Sequence, residues 1–188
     1  MRVVAGEARG RRLRAPRGAD ARYTSDFVRE ALFNILAPRL PGARFLDLFA
    51  GVGSVGLEAA SRGAAEVIMV ERDTVRVGFA ARNARETGLS PTCRIYRQDV
   101  FAAIDILRRH RERFDLIFLD PPYQQQLAQA ALERVAAGDL LAPDGLLVVE
   151  HSRREEMPPT MTPLRLVRRE RYGEAALSFY ARDREGAS

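Results

Sequence analysis

An aspartate, two prolines and a tyrosine, Asp120-Pro121-Pro122-Tyr123, close the apolar run Leu116–Leu119. Proline cannot donate to a sheet ladder and fixes its own backbone, so the pair stops a strand stiffly. That stiffness suits one kind of chemistry. The exocyclic amine of a nucleobase is a poor nucleophile, because its lone pair is delocalised into the ring, until acceptors hold its hydrogens and turn it toward an electrophile. The Asp120 carboxylate and the Pro121 carbonyl are two such acceptors on a turn with no N–H of its own to compete. Tyr123 adds a flat face for an extruded base, worth about 1–3 kcal/mol in nucleic-acid sites. A plain strand-ending turn is the simpler reading of Asp-Pro taken alone.

A second constellation lies upstream in FLDLFAGVGSVGLEAA, where Gly51, Gly53 and Gly56 spell GxGxxG. Glu71 follows 20 residues after Gly51, the place of a ribose-binding acid in a dinucleotide site. On these residues alone an NAD-dependent oxidoreductase remains open. Asp47 turns the reading elsewhere. Four residues before Gly51, its carboxylate would repel a pyrophosphate and attract an ammonium or sulfonium cation. S-adenosylmethionine (SAM) carries both cations and no phosphate. Asp99, in RQDVF, stands where it can accept from an adenine amine, so three acids fall near the carboxyl ends of three successive strands. Methyl transfer from SAM asks for alignment more than for a strong base. That fits a chain whose only cysteine is Cys93 and whose only histidines are His110 and His151, too few for a Cys/His metal cluster. His151, after the fifth strand, reads as a structural histidine.

The elements that must position these residues follow from the pattern. Apolar runs RFLDLFA, EVIMVE, CRIYRQD, FDLIFLD and GLLVVEH alternate with helical segments near 54–62, 73–87, 100–112 and 124–138. Near-continuous apolar strands between helices predict an α/β fold with a parallel sheet covered on both faces. After the Pro-rich connector EEMPPTMTP, RLVRRERYG and AALSFYARD form a closing antiparallel pair around Gly173. Before the first strand, DFVREALFNILA predicts a helix with Phe27, Ala31 and Ile35 beside Val28, Leu32 and Leu36 as its apolar face. RVVAG and RRLRA, around Gly6 and Gly10, predict a hairpin.

Charge is concentrated there. The first 22 residues hold seven arginines against Glu7 and Asp20, a surplus equal to the +5 of the whole chain. All 30 basic residues are arginine, whose planar fork suits phosphate, and a local basic stripe is the footprint of a nucleic-acid binder. The 188 residues suit one domain with an appendage. The expected organisation is a basic arm over 1–22, a catalytic domain over 23–183 and a frayed tail over 184–188. No apolar run approaches the ~20 residues of a membrane span, which with the single cysteine predicts a cytoplasmic protein without membrane attachment.

LDLFAGVGSVG, VERD, QDVF and DPPY, in that order, resemble the motifs of class I SAM-dependent methyltransferases acting on exocyclic amines. RVVAGEARGRRLRAP followed by VREALFNIL, with RYGEAALSFY near the end, resembles the bacterial small-subunit ribosomal RNA guanine-N2 methyltransferase D family. The resemblance implies a Rossmann-like, seven-stranded, mostly parallel sheet. It also implies cofactor contacts at Asp47, Phe49, Gly51, Gly53, Glu71, Arg72, Asp99 and Val100, and a catalytic role for Asp120, Pro121, Pro122 and Tyr123. RNA contacts fall to Arg9, Arg11, Arg12, Arg14 and Arg22, the substrate being a guanine in rRNA within the small subunit and the enzyme a monomer. Thr24, Arg29 and Asn34 fall near the cofactor by the same resemblance. DPPY alone leaves an adenine amine of DNA or RNA as an alternative target. Two departures stand out: Arg22-Tyr23-Thr24 where the family has Arg-Pro-Thr, and Phe27 where it more often has a polar residue.

Overall fold

The computed structural model describes residues 1–16, 25–122 and 127–183. Arg17, Arg22, Tyr23, Thr24 and Tyr123, together with the tail 184–188, lie outside the described residues. The chain forms two compact units, Met1–Val100 and Phe101–Ser188. The fold is α/β and mostly parallel, as its alternating pattern predicts.

In the first unit, strands β1 (Arg44–Leu48), β2 (Glu66–Glu71) and β3 (Cys93–Arg97) lie side by side in the order β3-β2-β1, all parallel. Asp47 is in register with Met69, and Glu71 with Arg97. Phe45–Leu48 and Val67–Glu71 are buried, whereas Arg94, Tyr96 and Arg97 of β3 are exposed, the charged composition of a protected edge. Helix α2 (Ser54–Ser61) is buried on every side, which explains its run of small and apolar residues. Helix α3 (Thr74–Thr87) starts on the Asp73 carboxylate, which accepts from Arg76 N at 2.9 Å, and stops at Gly88 with φ 81°.

Helix α1 (Asp26–Leu36) is capped by Ser25, whose hydroxyl accepts from Val28 N at 3.1 Å. Its buried face differs from expectation. Val28, Leu32 and Leu36 are buried as expected, but Arg29 and Phe33 join them, while Ala31 and Ile35 are half-buried and Phe27 is 68% exposed. The cause is electrostatic: the Arg29 guanidinium is drawn inward, donating to the Arg2 carbonyl at 2.6 Å and lying 3.9 Å from the buried Glu58 carboxylate.

The arginine-rich start is a hairpin, with Arg2 bridged to Arg12, Val3 N donating to Arg11 O and Gly10 N to Val3 O. It is part of the first unit, with Val3, Ala8 and Leu13 in the core. Glu58 of α2 accepts from Val4 N at 2.7 Å and Ala5 N at 2.9 Å, and the Ser61 hydroxyl accepts from Ala8 N at 3.0 Å. Contact is so close that a Cβ on Gly6 would meet the Ser61 carbonyl at 1.8 Å.

The second unit orders its strands β4-β5-β8-β7-β6. Strands β4 (Phe114–Leu119) and β5 (Leu141–Ser152) are parallel; β8 (Ala175–Arg182), β7 (Leu164–Tyr172) and β6 (Thr160–Met161) continue antiparallel. Helix α5 (Leu127–Ala137) joins β4 to β5, and α4 (Val100–Arg109) precedes β4. The described strands number eight against an expected seven. The difference is β6, two residues between Pro159 and Pro163, too short to carry periodicity. Strand β5 also starts earlier than GLLVVEH, running through Pro143 and Gly145, and its end contains His151. That histidine is 1% exposed and bonded to the Ser178 hydroxyl at 2.8 Å; burial lowers its pKa. No described helix is long and apolar enough to cross a membrane.

Candidate active site

The loop after β1 is built from left-handed backbone. Phe49 has φ 69°, Gly51 φ 57° and Gly53 φ 85°. Glycine adopts this region freely, but a bulky side chain there stores about 1–3 kcal/mol of strain, a cost concentrated at functional sites. The surroundings enforce it. Ala50 N donates to Val70 O, Gly53 N to Ala50 O and Gly51 N to the Glu71 carboxylate, while the buried Asn83 amide of α3 donates to Val52 O at 3.0 Å. A Cβ on Gly51 would meet nothing within 4 Å, so the loop presents open backbone at that point. Gly56 serves packing instead: a Cβ there would lie 2.6 Å from Met69.

Two carboxylates flank the loop. Asp47 is 1% exposed and accepts from Gly56 N at 2.9 Å. Burial pushes its pKa up to about 8, opposed by the Gly56 hydrogen bond and assisted by the nearby Glu71 charge. A cation beside it would favour the ionised form. Glu71 accepts from Gly51 N on one oxygen and Asp73 N on the other, both at 2.9 Å. Each carboxylate oxygen has a second lone pair, so Glu71 can still receive two hydroxyls, as a ribose diol requires.

This wiring discriminates between cofactors. A dinucleotide site offers loop N–H groups to a pyrophosphate. Here the N–H groups of Gly51, Gly53 and Gly56 are already taken by Glu71, Ala50 and Asp47. Two buried acids and occupied amides fit SAM, cationic and free of phosphate, and do not favour NAD.

Gln98 N donates to Glu71 O at 3.1 Å and so sets the course of the chain after β3. Asp99 follows it and is exposed, as is Arg72, while Val100 opens α4 and is buried. In the second unit, Leu116–Leu119 are at most 1% exposed, and Asp120 is the first residue beyond them. Asp120 is half-buried, Pro121 buried and Pro122 exposed. Among the described residues no cluster of His, Cys, Asp and Glu could hold a metal ion.

The hairpin arginines Arg9, Arg11, Arg12 and Arg14 are exposed, and Arg14 pairs with Glu86 at 2.9 Å. Sequence reasoning missed Glu58 and Asn83. Asn83 accepts from Arg14 N at 2.8 Å and donates to Arg14 O and Val52 O, so one amide ties the hairpin's end to the glycine loop. An isolated asparagine in ARNARE carries no motif; only its place on the buried face of α3, beside Ala80, Ala84 and Thr87, marks it.

Known proteins share this architecture. Ribosomal RNA small subunit methyltransferase D of Escherichia coli K12 is 32% identical over 188 residues, covering 100% of this chain and 93% of its own. The protein of that name from Haemophilus influenzae is 34% identical over 167 residues, covering 87% and 83%. A solved hypothetical protein of Thermus thermophilus superposes with a TM-score of 0.84 at 38% identity, covering 95% and 98%. The family model described as Conserved hypothetical protein 95 matches residues 1–181, and the chain belongs to that family.

Proposed function

We propose that this chain transfers a methyl group from S-adenosylmethionine to the exocyclic N2 amine of a guanine in small-subunit ribosomal RNA. It is an enzyme, a SAM-dependent rRNA methyltransferase, like the small-subunit methyltransferases D to which it is similar along its whole length. The chemical reading is carried by a carboxylate-flanked glycine loop in the first unit, whose three glycine amides are engaged, and is supported by a rigid Asp-Pro-Pro at the end of a buried strand in the second.

Bound SAM supplies a methyl group activated by its sulfonium. Glu71, with Asp99 and the open backbone at Gly51, holds the nucleoside end, and Asp47 favours the cationic end; Phe49, Gly53, Arg72 and Val100 complete the contacts. Asp120 and the Pro121 carbonyl accept the hydrogens of the target amine and orient its lone pair, and Pro122 stiffens the turn. Tyr123 stacks on the base. The amine becomes acidic only as it is methylated, so no strong base is required. Arg9, Arg11 and Arg12, with Arg14 and Arg22, meet RNA phosphates. The working form is a cytoplasmic monomer acting on RNA in the small subunit. An adenine amine is the alternative target that DPPY alone permits.

The test uses methyl-labelled SAM, small subunits lacking the modification, and nucleoside analysis after digestion. Label in N2-methylguanosine supports the reading; label in N6-methyladenosine overturns the target base. Asp120→Ala is expected to lower turnover at least ~100-fold with SAM affinity within about twofold. Equal loss of both would remove Asp120 from the proposed role.

A further inference from the structure

Asp120 and Arg113 flank strand β4 at its two ends, about 23 Å apart at 3.3 Å per residue. At the Arg113 end lies an open depression of about 410 Å³, lined by Arg108, Arg111, Glu112 and Arg113 of the α4–β4 turn and by Asp139 after α5. Of its two acids, Asp139 is engaged at the rim, accepting from both Arg113 and Arg182. The nearest carboxylate on α4, Asp105, is held by both ends of the Arg134 guanidinium, at 3.0 and 2.6 Å. Arg108, Arg109 and Arg111 are exposed and form no ion pair among the described residues.

The backbone adds an independent observation. Helix α4 ends with Arg111 N donating to Arg108 O and Glu112 N to Leu107 O, the two bonds of a Schellman cap. The left-handed residue of that cap is normally glycine. Here it is Arg111, at φ 56°. Glycine would hold this backbone with less strain, so the turn bears a cost while presenting the Arg111 side chain.

We infer that the α4–β4 turn is a second RNA-binding surface, in which Arg108, Arg109 and Arg111 take backbone phosphates at the end of β4 remote from Asp120. The inference rests on the RNA-methyltransferase reading for its choice of RNA over other anions. A guanidinium cluster that outnumbers its acids, with Asp139 and Asp105 already held by other arginines, matches a polyphosphate backbone, and its distance from Asp120 requires a folded RNA that extends well beyond the target nucleotide.

The test measures binding of the full chain to small-subunit rRNA across a salt series, beside thermal melting. Arg111→Gly is expected to raise Tm by about 2–4 °C and weaken RNA binding, opposite signs that a structural arginine would not give. Arg108→Glu with Arg111→Glu is expected to weaken binding at least ~10-fold and flatten the log–log salt slope by roughly 0.7–0.9 per lost phosphate contact. Unchanged affinity and slope in both variants overturn the inference. Weakened binding to the assembled subunit with unchanged binding to rRNA also overturns it, in favour of an acidic protein partner. Because the readout is binding, a chain that grips rRNA without methylating it defeats the functional reading and leaves this surface tested.

Discussion

At the N-terminal hairpin the exposed arginines ride on a backbone whose N–H groups are bound by buried acceptors, Glu58, Ser61 and Asn83. At the α4–β4 turn, by contrast, they ride on a local cap strained at Arg111, beside an ion-paired rim at Asp139. Both present guanidinium groups to solvent. The first is held by tertiary structure, so its order depends on distant residues. The second is held by its own turn and tolerates change.

The largest effect should come from Glu58→Ala. It removes the acceptor of Val4 N, Ala5 N and Arg62 Nε and takes the buried counter-charge from beside the Arg29 guanidinium, which keeps its ion pair with the exposed Asp26 at 2.9 Å. A loss of about 3–5 kcal/mol is expected in chemical denaturation, with proteolytic cleavage appearing first in residues 1–14. An unshifted midpoint would mean that packing of Val3 and Leu13 alone holds the hairpin.

Asn83→Ala should cost less, about 1–3 kcal/mol, by stranding the Arg14 and Val52 backbone groups. It should also weaken SAM binding, measured by calorimetry, because the glycine loop loses a tether. Asp139→Ala at the contrasting turn should cost only about 1 kcal/mol in the same denaturation assay, since its ion pairs are solvent-exposed and aspartate tolerates left-handed backbone only somewhat better than alanine. A cost as large as that of Glu58→Ala would erase the distinction between the two surfaces.

The smallest effect belongs to Glu86, whose pKa is lowered from 4.5 by hydrogen bonds from Arg82 and then Arg14. A depressed carboxylate stabilises the fold above its unfolded pKa, and that contribution disappears as pH falls through the folded value. Glu86→Gln should therefore melt slightly below the unaltered chain at neutral pH. The two curves should converge in acid, below about pH 4.5, in paired thermal melts.

Much of this was legible beforehand. Strands β1, β2, β4 and β5 announced themselves because strands buried on both faces are largely apolar, as EVIMVE is from Val67 to Val70. The glycine loop announced itself because glycine adopts left-handed backbone without strain, as Gly51 and Gly53 do at φ 57° and 85°. What failed was anything decided by a distant partner. Arg29 reads as a surface residue until Glu58 and the Arg2 carbonyl are placed beside it, and Phe27 reads as core until Arg29 has taken the inward direction. Asp47 was legible as an acid near the loop, but its bond to Gly56 N, nine residues on, was not.

The docking of the hairpin also has an order in time. Its first strand leaves the ribosome before its acceptors exist, since Glu58, Ser61 and Asn83 follow the groups they bind by 53 to 69 residues. At 5–20 residues per second that interval is roughly 3–14 s. Throughout it, seven arginines in 22 residues stand on an unfolded peptide beside the RNA of the particle that is making it. The arrival of α2, with one carboxylate and one hydroxyl, is what turns a nascent polycation into a shaped surface.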